Sequence, residues 1–189
     1  MTSHTDIPDP PRGSQVDDLM TMRNATLLDA PDIADVHHAS RAAALRDIVP
    51  ADLLGIMTLE ERRARWEEWL ADPRWVTIVA EVGGRIVGFG TLGPSRDDDA
   101  DPELVAEMPT LYVHPSSWRR GIGRRLCDEV VSRAADLGYR ELTLWTLEAN
   151  RGARLFYASL GFAADGVSKK DDDPVPTDLI AVRLRMDLT

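Results

Sequence analysis

Two glycines and four arginines surround one short turn of the sequence. Gly121 and Gly123 lie between an apolar strand pattern, which ends at Pro115, and a helical pattern. The arginines are Arg119, Arg120, Arg124 and Arg125. Glycines let backbone amides approach a bulky anion, and the first N–H groups of a helix, together with its dipole, favour negative charge. The turn therefore predicts a phosphate-containing ligand; a glycine turn with solvated arginines is the alternative.

A second patterned segment begins at Asn150, which is a good helix N-cap. Ala153, Tyr157 and Leu160 share one face of the helix that follows, and Gly161 ends it. A phenol has an ordinary pKa of about 10 and is a competent proton donor. The position of Tyr157 in the apolar stripe of the helix equally suits an aromatic residue of the core.

The two segments resemble the motifs of the GCN5-related N-acetyltransferase (GNAT) superfamily. The family's pyrophosphate turn reads Q/R-x-x-G-x-G/A, and Trp118-Arg-Arg-Gly-Ile-Gly is similar to it, with Trp118 in place of the leading Gln or Arg. The segment from Asn150 to Phe162 is similar to N-x-x-A-x-x-F-Y-x-x-x-G-F. The GxxxxGKS/T and GxGxxG patterns of other phosphate sites are absent.

This resemblance implies an α/β fold, with a mixed central sheet of about seven strands, about four helices and two splayed parallel strands at the centre. It implies acetyl-CoA as co-substrate and no metal. The implied cofactor contacts are Leu111, Tyr112, Val113, Trp118, Arg119, Arg120, Gly121, Ile122, Gly123, Arg124 and Asn150. Of these, the 111–113 backbone pairs with the pantetheine arm like an added strand, residues 119–124 hold the pyrophosphate, and Asn150 contacts the pantetheine where the strands splay.

The resemblance also suggests the catalytic groups. Tyr157 resembles the family's general acid for the departing thiolate, and Glu107 matches a position where many members carry an acid that acts as base. Glu103 is the reserve candidate, and a solvated carboxylate is the alternative interpretation of Glu107. Backbone N–H groups of a bulge around Tyr112 and Val113 would meet the oxyanion.

Three other groups of residues carry weaker indications. Cys127 has no nearby His and is interpreted as a buried structural thiol. The four histidines, His4, His37, His38 and His114, form no ligand set, and His37-His38 is expected to be half core and half surface. Trp66 and Trp69 lie on a helix that commonly walls the acceptor site in this family, although ordinary packing also explains them.

Apolar spacing and turn residues place these motifs on secondary structure. The first predicted elements are a strand in 22–29, a helix with apolar Ile33, Val36, Ala39 and Ala43, and a helix over 62–70 after a Thr58/Glu61 capping box. A hairpin of 75–82 and 85–92 around Gly83-Gly84, an acidic loop over 94–107 and a short buried strand at 111–113 follow. The last predicted elements are a helix from Gly121 to Gly138, a strand at 141–147, the helix after Asn150, and strands at 162–167 and 179–186 that flank a KKDDDPVP loop. Their order predicts a mixed sheet rather than a doubly wound one.

Composition restricts the class of protein. The 189 residues carry a formal charge of −10, which disfavours general nucleic-acid binding. No apolar run approaches the ~18 residues of a membrane span, and no secretory leader is recognisable. We therefore expect a cytoplasmic protein without nucleic-acid or membrane partners, with a disordered tail over 1–20 and one domain over 21–189.

These observations favour an acetyl-CoA-dependent N-acyltransferase that moves an acetyl group directly to a primary amine. A non-catalytic acyl-CoA-binding or regulatory module on the same fold is the alternative. The acceptor stays open among small-molecule and peptide amines, and the acids of residues 97–107 suggest attraction of a cationic amine. Homodimers are common among similar proteins, so a homodimer is an open expectation.

Overall fold

The structure, a computed structural model, describes residues 20–171 and 178–188. Seven strands form one sheet in the order β1-β2-β3-β4-β5-β7-β6. The strands are β1 Met20–Asn24, β2 Val76–Val82, β3 Arg85–Pro94, β4 Val105–Val113, β5 Glu141–Leu147, β6 Ala163–Lys170 and β7 Ile180–Asp187; the helices are α1 Ala30–Ala44, α2 Ala51–Leu54, α3 Leu59–Ala71, α4 Ile122–Asp136 and α5 Arg151–Ala158. All neighbouring strands are antiparallel except β4 and β5, which are parallel. The predicted mixed α/β sheet is confirmed.

Local sequence signals account for most of these elements. Thr58 accepts a hydrogen bond from the Glu61 N–H, and the Glu61 carboxylate accepts one from the Thr58 N–H, so the predicted capping box starts α3. Gly83 and Gly84 have φ values of +58° and +74°, as a two-residue hairpin turn requires. The helix after Gly121 is confirmed as α4.

Three predicted boundaries differ from the structure. The strand predicted over 22–29 is β1 only to Asn24, because Asp29 accepts the Thr26 N–H and closes a short 3-10 turn over Leu27–Asp29. The acidic loop predicted over 94–107 ends earlier, since β4 already begins at Val105. The short helix α2 was not predicted, so the described residues hold five α-helices rather than about four.

Two predictions concern residues that the structure describes only in part. β1 begins at Met20, the last residue of the predicted tail, and residues 1–19 lie outside the described range. The first two residues of the KKDDDPVP segment belong to β6, whereas 172–177 lie outside the described range. None of the described helices combines the length and apolarity needed to cross a bilayer.

The sheet separates two apolar layers because successive strand residues point to opposite faces. On one face Ile78 and Ala80 pack with Leu126 and Val130 of α4. On the other face Val79 and Phe89 pack with residues of α1 and α3. This arrangement leaves α4 on one side of the central strands and the α1/α3 pair on the other.

The two parallel central strands pair over only three residues each. Val105–Glu107 of β4 aligns with Glu141–Thr143 of β5, and no further pairing follows. A bulge in β4 accompanies this separation, because both Met108 and Pro109 lie opposite the single residue Leu92 of β3. Beyond Glu107 the strands therefore splay apart and open the centre of the sheet.

Candidate functional site

A cleft of about 1140 Å³ occupies the gap between the splayed halves of β4 and β5. The predicted catalytic residues Glu107 and Tyr157 both line it. So does every predicted cofactor contact except Arg120, whose side chain is exposed elsewhere. Residues that are distant in sequence are thus brought to one cavity by the splayed strands, the Gly121 turn and α5.

The β4 edge that faces the gap offers backbone hydrogen-bonding groups. The His114 N–H donates to the Val87 carbonyl of the β3 strand at 2.8 Å. Since backbone groups alternate in direction along a strand, Tyr112 also points its N–H and C=O towards β3, whereas Leu111 and Val113 point theirs into the gap. Tyr112 therefore faces the cleft only through its side chain.

Two features of this edge were not expected. The bulge lies at Met108–Pro109, four residues before the position around Tyr112 and Val113 where it was predicted. Trp118 contributes its side chain as well as its backbone, because its indole Nε1–H donates to the Val113 carbonyl at 2.6 Å. This bond ties the glycine turn to the end of β4.

The glycine turn adopts a backbone conformation suited to an anion. Gly121 caps α4 with φ +79°, a left-handed value that favours glycine. Arg119 has φ +63° and is the one non-glycine residue with positive φ in the described part of the chain, which costs about 1–2 kcal/mol. The first N–H groups of α4 lack intrahelical partners. Strain of this kind often marks functional sites.

The four arginines of the turn do not act as one group. Arg119 and Arg124 line the cleft, and the Arg124 guanidinium also lies 3.4 Å from the Ser159 hydroxyl. Arg125 instead borders a shallow depression beside Met20 on the outside of the domain. Two of the four arginines near the turn therefore line the cleft, fewer than the sequence indicated.

Tyr157 is half-buried on α5, with its ring edge-on to those of Phe156 and Phe162 at centroid distances of 5.1 and 5.7 Å. Burial raises the pKa of the Tyr157 phenol, and the neighbouring Cys127 and Tyr112 raise it further. The hydroxyl consequently stays protonated through the neutral range, so it can donate a proton or a hydrogen bond and does not act as a phenolate base.

Cys127 is fully buried, as predicted. Burial raises the pKa of its thiol to about 12, Asp128 adds to the rise and Arg124 opposes it. The thiolate, which is the reactive form, is therefore rare near neutral pH. The predicted structural role fits this environment.

Glu107 is only 3% exposed and is held by Arg96. The Arg96 Nη2 lies 2.6 Å from Oε1, and its Nε lies 2.9 Å from Oε2. Arg96 in turn packs over the rings of Trp69 and Trp75, at 5.8 and 5.2 Å. Sequence reasoning missed Arg96, although it is the one cation among the acids of residues 94–107. The reserve candidate Glu103 is exposed and does not line the cleft.

Two other acids of this segment, Asp97 and Asp99, form ion pairs within the fold. Arg183, 2% exposed, forms ion pairs with Asp97 at 3.1 Å, Asp99 at 2.6 Å and Asp165 at 2.6 Å. Asp97 also accepts a hydrogen bond from the Trp145 indole. Asp97 and Glu107 are the acids of this segment that line the cleft, and both are paired with arginines. The attraction of a cationic acceptor by the segment stays a prediction.

The α1/α3 side of the cleft carries a half-buried histidine, His37. His37 Nδ1 accepts the Trp66 indole N–H at 3.1 Å and lies 3.4 Å from the Arg62 Nη1. Because indole and guanidinium can only donate, the proton of neutral His37 resides on Nε2. Burial, followed by Arg62, Arg41 and Arg65, lowers the pKa of His37 well below its usual range. The neighbouring His38 is exposed, so the expected half-core, half-surface pair is confirmed.

Asn150 lies at the β5 side of the cleft, where it caps α5. Its Oδ1 accepts the Ala153 N–H at 3.1 Å, as predicted. This bond commits the side-chain oxygen to the helix. A ligand in the cleft would therefore meet the Nδ2 donor of Asn150.

Comparison with known proteins agrees with this geometry. A sequence model of the Acetyltransferase (GNAT) family matches residues 43–162. The chain is 34% identical over 119 residues to the uncharacterized N-acetyltransferase Rv2669 of Mycobacterium tuberculosis, which covers 63% of this chain and 72% of that protein.

Solved structures share the fold at low sequence identity. An N-acetyltransferase from Staphylococcus aureus superimposes with a TM-score of 0.70 at 21% identity, over 90% of this chain and 99% of its own. The paia N-acetyltransferase of Thermoplasma acidophilum, in complex with coenzyme A, gives 0.69 at 16% identity, over 89% and 98%. Together with the matched motifs and the splayed sheet, these similarities show that the chain belongs to the GNAT acetyltransferase family.

Proposed function

We propose that this protein transfers an acetyl group from acetyl-CoA to a primary amine. The observation that carries the proposal is the β4 edge, where Leu111 presents its N–H and C=O, and Val113 its N–H, to a gap that ends at a turn suited to an anion. A pantetheine arm contains amides that can pair with such an edge as an added strand does. Bound acetyl-CoA would supply the acetyl group as an activated thioester.

The residues present fit the two ends of this co-substrate. The helix N-terminus at Gly121, with Arg119 beside it, suits a pyrophosphate. The edge of β4 suits the pantetheine, and the Asn150 Nδ2 donor faces the same gap. The coenzyme A complex of the Thermoplasma relative supports this use of the fold.

Tyr157 is proposed to donate to the departing sulfur. A thiol has a reference pKa of about 8.5, so proton or hydrogen-bond donation assists the departure of the thiolate. Tyr157 can serve because its phenol, whose pKa is raised by burial, is protonated throughout the neutral range. Its hydroxyl has no hydrogen-bond partner among the residues that the structure describes, so it remains available to a ligand.

Glu107 is proposed to receive the proton of the attacking amine, directly or through water. An alkylamine of pKa about 10.4 is neutral in only about one molecule in 10³ at pH 7, so a base accelerates the attack. Arg96 orients the carboxylate through two side-chain hydrogen bonds, and its backbone N–H donates a third to Oε2 at 3.3 Å, so Oε1 is the oxygen that retains a further lone pair. Arg96 is thus a positioning residue on this proposal.

Two measurements on the purified protein test the proposal. Isothermal titration should show saturable acetyl-CoA binding, and a thiol-release assay over amine classes should show acceptor-dependent release of coenzyme A. Absence of acetyl-CoA binding at high ligand concentration would contradict the proposal. Binding without thiol release on any amine would instead favour an acyl-CoA-binding module.

Replacing Arg119 of the glycine turn is expected to lower acetyl-CoA affinity without lowering the stability of the fold. Arg119→Gly should weaken acetyl-CoA binding about 3- to 10-fold, because one cation is lost beside the pyrophosphate. Relief of the left-handed strain, about 1–2 kcal/mol, exceeds the entropic cost of glycine, about 0.5–1 kcal/mol. The free energy of unfolding should therefore stay equal or rise by up to ~1.5 kcal/mol.

Arg120→Gly is the matched control, because Arg120 neither lines the cleft nor has a positive φ. It should lose about 0.5–1 kcal/mol of stability and leave acetyl-CoA affinity nearly unchanged. Titration calorimetry and urea denaturation measure both quantities. Equal effects of the two substitutions would contradict the proposed role of Arg119.

A further inference from the structure

We propose that the acceptor amine carries a carboxylate, as a free amino acid does. This inference rests on the proposed acetyl transfer and adds the chemical class of the acceptor. Its basis is a group of arginines on the α1/α3 side of the cleft: Arg41, Arg62 and Arg65, called the arginine wall below. All three line the cleft.

The arginine wall is separate from the glycine turn that suits a pyrophosphate. It lies on α1 and α3, which pack against the sheet face of Val79 and Phe89. The turn opens α4, which packs against the opposite face. The two cationic regions therefore border different parts of the cleft, and a cofactor phosphate at the turn leaves the wall to a second ligand.

Arg62 is the buried member of the wall, whereas Arg41 is half-buried and Arg65 is exposed. The whole Arg62 residue is 5% exposed, and its Nη1 lies 3.4 Å from His37 Nδ1. All three guanidiniums act on His37, since each lowers its pKa after the larger effect of burial. His37 is consequently neutral, with its Nε2–H as an additional donor. Planar guanidinium groups favour carboxylates, which they can bind through two parallel hydrogen bonds.

The carboxylates already beside the cleft are matched largely by other arginines. Glu107 pairs with Arg96, and Asp97 pairs with Arg183. The third acid among the described residues that line the cleft, Asp171, also has a partner within the chain. Each arginine of the wall has further polar interactions within the chain, so an acceptor carboxylate would join or exchange with these. A polyamine, by contrast, would place like charges against the wall.

The test compares acceptors that differ only in the carboxylate. A panel of L-amino acids and the corresponding L-amino acid amides is assayed for thiol release, together with spermidine. The preferred amino acid should exceed its amide in kcat/KM by about 10- to 100-fold, the range expected for charge-assisted hydrogen bonds. Spermidine should be poorer than the amino acid.

Variants of the wall show whether these residues cause the preference. Arg41→Gln and Arg65→Gln should each lower kcat/KM for the amino acid about 10-fold and leave the amide nearly unchanged. These residues are chosen because they are more exposed than Arg62, whose loss could unfold the protein. Arg46→Gln, an exposed change just beyond α1, is the matched control and should alter neither acceptor.

The outcomes separate this inference from the proposed function. Amides or spermidine accepted as well as amino acids, or variants that affect acid and amide equally, would contradict the carboxylate inference while acetyl transfer stands. Acetyl-CoA binding with no transfer to any amine would contradict both.

Discussion

Replacing Tyr157 with phenylalanine is expected to lower kcat by about 10²- to 10⁴-fold, the range of general acid contributions, with little change in acetyl-CoA affinity. The substitution removes one hydroxyl from a half-buried ring that packs against Phe156 and Phe162, so the fold should persist. Steady-state thiol release measures kcat, and titration calorimetry measures the affinity.

Tyr139→Phe is the matched control for this variant. It removes a phenolic hydroxyl from a partly buried core tyrosine that does not line the cleft, and kcat should stay within about twofold. An equal loss in both variants, or no loss in Tyr157→Phe, would contradict the proposed acid role.

The pH dependence of the reaction rate gives a second test of the proposed role of Tyr157. Burial raises the pKa of this phenol above its ordinary value, which is about 10. Well below this pKa the protonated fraction of Tyr157 is constant. Tyr157 therefore contributes no limb to the pH–rate profile between about pH 6 and 9, which is roughly the range in which ordinary histidines and thiols titrate. The profiles of Tyr157→Phe and the native protein should be parallel over that range, and a limb lost with the hydroxyl would contradict this account.

Replacing Arg183 with methionine is expected to destabilise the protein by about 3 kcal/mol or more, the size found when one partner of a buried ion pair is removed. Arg183 is 2% exposed, and the partners Asp97 and Asp165 have side chains 10% and 17% exposed. The substitution leaves these carboxylates without their cation. Thermal or urea unfolding should show a lowered midpoint, by roughly 6–12 °C for a chain of this size.

Arg85→Met tests whether the effect comes from burial. Arg85 is an exposed first residue of β3, and exposed substitutions usually change stability by less than about 0.5 kcal/mol. Equal destabilisation by both variants would show that the Arg183 ion pairs contribute nothing beyond an ordinary surface arginine.

The dependence of stability on acidic pH should reveal the same ion pairs between Arg183 and its aspartates. Hydrogen bonding to Arg183 lowers the pKa of Asp99. Desolvation raises the pKa of Asp165, but hydrogen bonds from the Val167 N–H and Arg183 bring it below its usual value. A carboxyl with a lower pKa in the folded state stabilises the fold above its unfolded pKa, near 3.9, and this stabilisation is lost as the pH falls through the folded value. Stability below about pH 4 should therefore depend less on pH in Arg183→Met than in the native protein.

Elements with strong local signals were predicted well from the sequence. The Gly83-Gly84 hairpin, α3 with its capping box, α4 after Gly121 and α5 after Asn150 all depend on residues within a few positions of one another. Such interactions are encoded by local conformation and hydrogen bonding. The phosphate-suited turn is recognisable for the same reason.

Contacts between distant segments were not predictable in this way. The start of β4 and its bulge depend on pairing with β3 and β5. The acidic segment was predicted to be a solvated loop, but Arg183, more than eighty positions away in the sequence, binds two of its aspartates. Arg96 on Glu107 and Arg62 on His37 likewise join separate elements.

The sequence alone thus determined the family resemblance, the glycine turn and the candidate tyrosine, because these are local patterns of residue type and spacing. Only the tertiary structure decided which charges face the cleft. Strand pairing and helix packing pair the acids of residues 94–107 that line the cleft with arginines, and they bring Arg41, Arg62 and Arg65 to the same cleft. Electrostatic interactions act through space, so net charge and charge runs along the chain do not reveal which charges remain paired after folding.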